Sequence, residues 1–183
     1  MVAPGNHDVD RHPLTGAIFV AFENRFQMPQ LRPARTSVDT QMETHFFDYD
    51  VPYPLDHEYG NAYYSFTFGP SHNIVLCSYS SMDPGSRQYF WLEKELKSMN
   101  RTITPWVTVT MHSPMYNTFS THQDDPQNEP TKNYLEPLFL KYKVNLVFSG
   151  HVHGYQRTFP TAYDRRDAQG PVYIIGGNGG CDL

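Results

Sequence analysis

The stretch Val144-Asn145-Leu146-Val147-Phe148-Ser149-Gly150-His151-Val152-His153-Gly154 decides how this chain is read. Residues 144–148 form a short apolar run, which predicts a buried strand. The run ends in Ser149-Gly150, and two histidines follow at a spacing of two. In an extended segment, residues i and i+2 face the same side. His151 and His153 are thus able to present both imidazoles to one cleft. Gly150 and Gly154 let the backbone bend sharply on either side of them. Neutral imidazole is the commonest protein ligand for transition metals. A lone His-x-His is also what a solvated loop carries, so the choice rests on the rest of the chain.

Two further strand ends carry residues able to bind metal. Residues 106–111 predict a β-branched strand after Pro105, and it runs into His112-Ser113-Pro114. The opening residues 1–4 read as the stub of a strand ending in Gly5-Asn6-His7-Asp8. Ligand sites of open α/β sheets collect beyond the carboxyl ends of their strands. An asparagine carboxamide oxygen is a neutral, hard ligand, suited to a site already rich in charge. Gly-Asn by itself is ordinary turn chemistry; the His7-Asp8 that follows makes the metal reading more specific.

The remaining elements frame these ends. A helix is expected over 15–26, with Ile18, Phe19, Phe22 and Phe26 on one side. Pro29 and Pro33 break the chain, and residues 29–60 read as a long loop of the kind that is often functional. Residues 63–68 and 74–79 suggest a hairpin turned at Gly69-Pro70. Helices are expected over 86–99 and 134–141, the second tolerating Pro137 only in its first turn. A strand over 171–175 precedes Gly176-Gly177-Asn178-Gly179-Gly180. Strands alternate with helices after residue 85, which predicts an α/β layered fold with a mixed sheet, in a single domain over 1–183.

Composition narrows the function classes. The chain has 183 residues, within the ~100–200 expected of one domain. Lys and Arg total 14 against 19 Asp and Glu, a formal net charge of -5, which argues against a nucleic-acid binder with its basic footprint. Aromatics reach 15%, far from the composition of a disordered chain. No apolar run approaches the ~18 residues of a membrane span. The opening Met1-Val2-Ala3-Pro4-Gly5 has neither the basic start nor the apolar stretch of a signal peptide. Cys77 and Cys181 allow one bridge at most and say little about redox compartment. Nine histidines are the unusual count.

Gly5-Asn6-His7-Asp8, Val109-Thr110-Met111-His112 and Gly150-His151-Val152-His153 occur in the order and form of the last three motif blocks of the purple acid phosphatases. These are members of the calcineurin-like metallophosphoesterases. Tyr63-Tyr64-Ser65-Phe66, Gln88-Tyr89-Phe90-Trp91-Leu92, Thr104-Pro105-Trp106 and His112-Ser113-Pro114-Met115-Tyr116-Asn117 are similar to the stretches linking those blocks. The chain resembles that family over nearly its whole length. The resemblance implies the calcineurin-like αββα sandwich with mixed sheets, its N-terminal strands missing here. It implies an acid phosphatase whose binuclear centre pairs Fe(III) with a divalent iron, zinc or manganese. It carries Asn6, His112 and His151 onto the divalent ion and His153 onto the iron. A metal-bound hydroxide then attacks the phosphorus of a phosphate monoester, with two cations holding the substrate and neutralising the charge that grows on it.

The same resemblance gives His7 a place facing substrate, where it binds phosphate or assists the leaving group. His122 stands ten residues after His112, where the family places a substrate-binding histidine; Thr121 takes the position of a second one often found there. Gln156 stands where glutamate is more usual. The expected partners are a phosphate monoester and a second copy of the chain in a homodimer, with no nucleic acid and no membrane. The expected location is secreted or vacuolar/lysosomal.

Other polar residues have plainer readings. His12 and His45 read as solvated, His57 as charge-paired and His72 as structural. Asp124, Asp125 and Glu129 read as a solvated acidic face. Asn100-Arg101-Thr102 fits the glycosylation sequon. The family's Gly-Asp-x-Gly and Gly-Asp-x-x-Tyr blocks have no counterpart, because no Gly-Asp dipeptide occurs in the chain. The iron-binding aspartate, the bridging aspartate and the iron-binding tyrosine are therefore lacking, and neutral ligands compensate poorly for the lost hydration of two cations. The chain is expected to be the carboxyl-terminal part of a catalytic domain, weak or inactive alone. Replacement ligands, if any, are to be sought among Asp8, Asp10 and the acidic loop. Two alternatives stand beside this reading: a phosphodiesterase or nucleotide hydrolase of the same superfamily, and a non-catalytic metal-binding remnant.

Overall fold

The structure, a computed structural model, describes residues 1–10, 12–29 and 51–179. Its strands are Tyr64–Phe68 (β1), Ser71–Val75 (β2), Trp106–Thr110 (β3), Leu146–Ser149 (β4), Tyr155–Arg157 (β5), Thr161–Ala162 (β6), Arg165–Arg166 (β7) and Val172–Gly176 (β8). Six of them form one mixed sheet in the order β1-β2-β3-β4-β8-β5, and β6 pairs with β7 in a separate ribbon. β2, β3, β4 and β8 run parallel, so their carboxyl ends share one edge of the sheet. The antiparallel β1 and β5 flank them. Val107, Val109, Val147, Tyr173 and Ile175 alternate with more exposed neighbours and are buried against the helices and loops that cover the sheet.

The α/β mixed sheet and the hairpin around Gly69-Pro70 stand as expected. Helix Arg87–Ser98 (α2) begins where Ser86 caps it, its hydroxyl accepting the Tyr89 amide at 3.2 Å. Leu92 and Leu96 from its apolar side are buried in the core. Two other helices differ from expectation. Over 15–26 only Val20–Arg25 is helical (α1), because Phe19 takes a left-handed conformation (φ 56°) and blocks extension backwards. Ala17 and Ile18 are still buried, through a bridge instead of a helix face.

The expected helix over 134–141 starts earlier. Asn128–Pro130 (α3), a π-turn over Thr131–Leu135 and Glu136–Lys141 (α4) follow one another without a break. Pro137 has no N–H to donate, and its ring crowds the carbonyl four residues back. The widened turn lies where that crowding falls. Residues 1–4 form no strand; they are tied down by Tyr64, whose hydroxyl donates to the Val2 carbonyl at 2.7 Å and accepts the Val2 amide at 3.0 Å. Most of the expected loop over 29–60, with Pro33 and His45, lies outside the described residues, as does Cys181.

Candidate metal centre

Three segments meet at the carboxyl edge of the parallel strands. β3 runs on through Met111 into His112. β4 runs into the turn of Gly150 to Gly154, which closes on itself through the Val152 amide to Gly150 and the Gly154 amide to Val152. The Gly150 amide donates to the His112 carbonyl at 3.0 Å, so the two histidine-bearing ends are joined through their backbones. The third segment is the short 3-10 turn Asn6–Asp8, closed by the Asp8 carboxylate accepting the Gly5 amide at 2.9 Å.

This arrangement brings together side chains far apart in sequence. His112 Nε2 lies 2.9 Å from Asn6 Oδ1 and 3.1 Å from His151 Nδ1. The His112 and His151 rings are 4.8 Å apart between centroids, and the His122 ring is 3.9 Å from that of His151. Two close approaches allow the convergence. A methyl group on Gly5 would sit 2.9 Å from the His112 ring. Gly177, just after β8, donates its amide to Gly154 and passes so near the Val152 carbonyl that a side chain there would overlap it. His151 (φ 63°) and His122 (φ 59°) both hold the left-handed backbone that non-glycine residues rarely adopt, a strain that tends to persist at functional sites.

Electrostatics favour neutral rings. Burial, reinforced by the neighbouring imidazoles of His151, His7, His122 and His153, pushes His112 down to about 3. Burial also lowers His151, opposed by the Asp125 carboxylate. A neutral imidazole keeps a lone pair free to bind a cation. One amide oxygen and one imidazole nitrogen, each within 3.1 Å of the His112 Nε2, make a donor set that fits a divalent ion of the zinc or iron type. His153 and His7 are exposed at the rim.

Asp125, read from sequence as part of a solvated face, points inward instead. Its Oδ2 is 2.7 Å from His151 Nε2 and 3.4 Å from His122 Nδ1. His122, Asp125 and His151 are the one grouping of three or more His, Cys, Asp or Glu side chains able to share a metal found among the described residues, and it shares His151 with the motif. The signal available in sequence was the spacing of three between His122 and Asp125. Gln156 accepts both the Thr118 amide (2.9 Å) and hydroxyl (2.7 Å) and donates to the Tyr116 carbonyl at 3.1 Å. A glutamate there would lack that donor, which gives the amide a physical role in fastening the loop that leads to His122.

The plainer readings are met in part. His57 is charge-paired, with Glu23 at 2.8 Å. His72 is structural, hydrogen-bonded to Thr67 at 3.2 Å and with Glu95 Oε1 3.0 Å from its Nε2. His12 Nδ1 accepts the Leu14 amide at 3.4 Å, and His45 lies outside the described residues. No helix among the described residues is long and apolar enough to cross a membrane.

Comparisons with known proteins point to one family. The family model described as calcineurin-like phosphoesterase matches residues 1–155. The probable purple acid phosphatase 20 of Arabidopsis thaliana is 37% identical over 181 residues, covering 98% of this chain and 37% of that protein. A Glycine max purple acid phosphatase is 42% identical over 143 residues, covering 72% of this chain and 30% of that protein. The chain thus spans about a third of the length of these relatives. The solved purple acid phosphatase from yellow lupin (Lupinus luteus) seeds superposes with a TM-score of 0.72 at 23% identity, over 100% of this chain and 31% of that one, a likeness of fold.

Proposed function

The chain belongs to the calcineurin-like phosphoesterase family, and from that premise we propose that it forms the divalent-metal half of a binuclear phosphomonoesterase site of the purple acid phosphatase kind. The observation that carries this is the convergence of Asn6 Oδ1, His112 Nε2 and His151 Nδ1 within 2.9 and 3.1 Å contacts. In this reading those three atoms would hold a divalent zinc, iron or manganese, and His153 would serve an Fe(III). When bound, the cations supply Lewis-acid charge and lower the pKa of water. The chain's own residues do the rest. Asn6, His112 and His151 fix the cation against the sheet edge. His7, at the exposed rim, meets the phosphoryl group or gives a proton to the leaving oxygen. His122, packed on His151, closes the substrate side.

On that resemblance the Fe(III) side would lack its carboxylates. The aspartates that the resemblance places on iron and between the metals have no counterpart in these 183 residues. We therefore expect this chain alone to bind a divalent ion weakly and to hydrolyse phosphate monoesters slowly or not at all. By the same resemblance we read the enzyme as secreted or vacuolar; Asn100 of the sequon is exposed in the turn after α2, where a glycan has room.

Elemental analysis of the purified chain, with and without His112→Ala, tests the reading. The expected result is a divalent ion at one equivalent or less, lost in the variant, with activity on aryl phosphates far below that of full-length relatives. Metal content unchanged in His112→Ala would overturn the assignment. Iron at full occupancy with rapid turnover would overturn the half-site. Rapid turnover of diesters but not monoesters would move the substrate class to phosphodiesters.

A further inference from the structure

The proposal that His151 offers Nδ1 to a cation leaves its other nitrogen to be accounted for, and the following inference rests on that proposal. We infer that Asp125 is the positioning residue for His151, holding its imidazole as the Nε2-protonated tautomer so that the Nδ1 lone pair faces the point shared with Asn6 and His112.

Asp125 Oδ2 lies 2.7 Å from His151 Nε2, the length of a charge-assisted hydrogen bond. The His151 side chain is only 4% exposed, so water offers little alternative partner for that N–H. The carboxylate is itself held. Gln127 Nε2 donates to Asp125 Oδ2 at 3.1 Å and to the Ser113 hydroxyl at 2.9 Å. Gln127 is 2% exposed, and Ser113 is the residue after His112. Its amide in turn donates to the Ser78 hydroxyl at 2.9 Å, beyond the end of β2. One buried network therefore joins the partner of His151 to the backbone that carries His112. Carboxylates placed this way fix the tautomer and ring orientation of a metal-binding histidine and raise its basicity.

The other use of Asp125 would be as a direct ligand, sharing a separate cation with His122 and His151. That arrangement requires His151 to surrender both ring protons while serving two cations. The hydrogen-bonding role asks for neither.

The test compares the full chain with Asp125→Ala and Asp125→Glu. Nitrogen-15 shifts of the imidazole rings are recorded in metal-free protein above the histidine titration range, with His151 assigned by the loss of its signals in His151→Gln. The wild type should show the Nε2–H tautomer at His151; Asp125→Ala should show a mixture, and Asp125→Glu should restore the single form. Zinc affinity, measured against a chromophoric chelator, should fall about 10- to 100-fold in Asp125→Ala and largely recover in Asp125→Glu. Thermal melts confirm that each variant is folded, and recovery in Asp125→Glu excludes a general loss of structure. An unchanged tautomer in folded Asp125→Ala would overturn the proposal. A second zinc equivalent in the wild type, lost in both Asp125→Ala and His122→Ala, would overturn it in favour of direct ligation. If the wild type binds no zinc, the cation reading fails, and the tautomer in metal-free protein still decides the role of Asp125.

Discussion

Gly5 shows how a residue with no side chain shapes a site. Its α-carbon faces the His112 ring so closely that an added methyl would stand 2.9 Å from one ring carbon and 3.0 Å from Nδ1. The ring is held at Nε2 by Asn6 and His151, so it has little freedom to shift. Gly5→Ala should therefore displace the imidazole and destabilise the fold by about 1–3 kcal/mol, as overpacking does. Zinc affinity should drop by about tenfold or more, as when the support of a ligand is disturbed. Urea titration and chelator competition read the two effects. Gly5→Ser with the same outcome would place the cause in the volume of the added β-carbon and not in its polarity. At this scale the motif residues were legible: Gly5, Asn6, His112 and His151 stand in short ordered blocks. Asp125 was not, because the group it serves lies 26 residues away and an acidic surface loop looks the same whether or not one carboxylate turns inward.

The packing of α1 rests on a buried charge pair. Glu23 on α1 accepts the Asn61 amide at 2.9 Å and meets His57 Nε2 at 2.8 Å, while the His57 ring stacks on Phe19 at 4.0 Å. Burial works to lower the His57 pKa, but its contacts with Cys77 and Glu23 outweigh that and raise it from 6.5 to about 8. Because the folded value lies above the unfolded one, the protonated ring stabilises the fold fully below pH 6.5, and this is lost as pH rises through about 8. The contribution is on the order of 2 kcal/mol. Melting temperature should thus decline across that window in the wild type and stay flatter in Glu23→Gln, whose lower overall stability is set by the weakened contact. A parallel decline in both would assign the pH dependence to the Cys77 contact with His57 or to another group. The sequence pattern marked α2 and the hairpin well, since each has a regular period and a capping or turn residue. It overextended α1 because Phe19 carries the apolar spacing of a helix while its backbone is left-handed. The strands β5, β6 and β7 have two or three residues each, too few to display any period.

Across the whole molecule, the proposed cation closes long loops. Asn6 and His112 are separated by 106 residues, and His112 and His151 by 39, yet their donor atoms meet at one edge of the sheet. A ligand that binds only when those segments are assembled binds the native state and not the unfolded chain. It therefore stabilises by mass action, about 2.7 kcal/mol at ~100 times its dissociation constant. For a chain of this size each kcal/mol moves the melting temperature by roughly 2–4 °C. Saturating zinc should then raise the melting point by on the order of 5–10 °C. The shift should vanish in His112→Ala and His151→Ala, whose nitrogens face the common point. It should persist in His153→Ala, because His153 is exposed at the rim and is read as serving a different ion. A shift that survives in His112→Ala would place the cation elsewhere, and one lost in His153→Ala would mean that both histidines of the turn hold the same ion. Differential scanning fluorimetry across the three variants distinguishes these outcomes. It does so without any turnover, so the answer does not depend on whether the Fe(III) side of the centre is furnished.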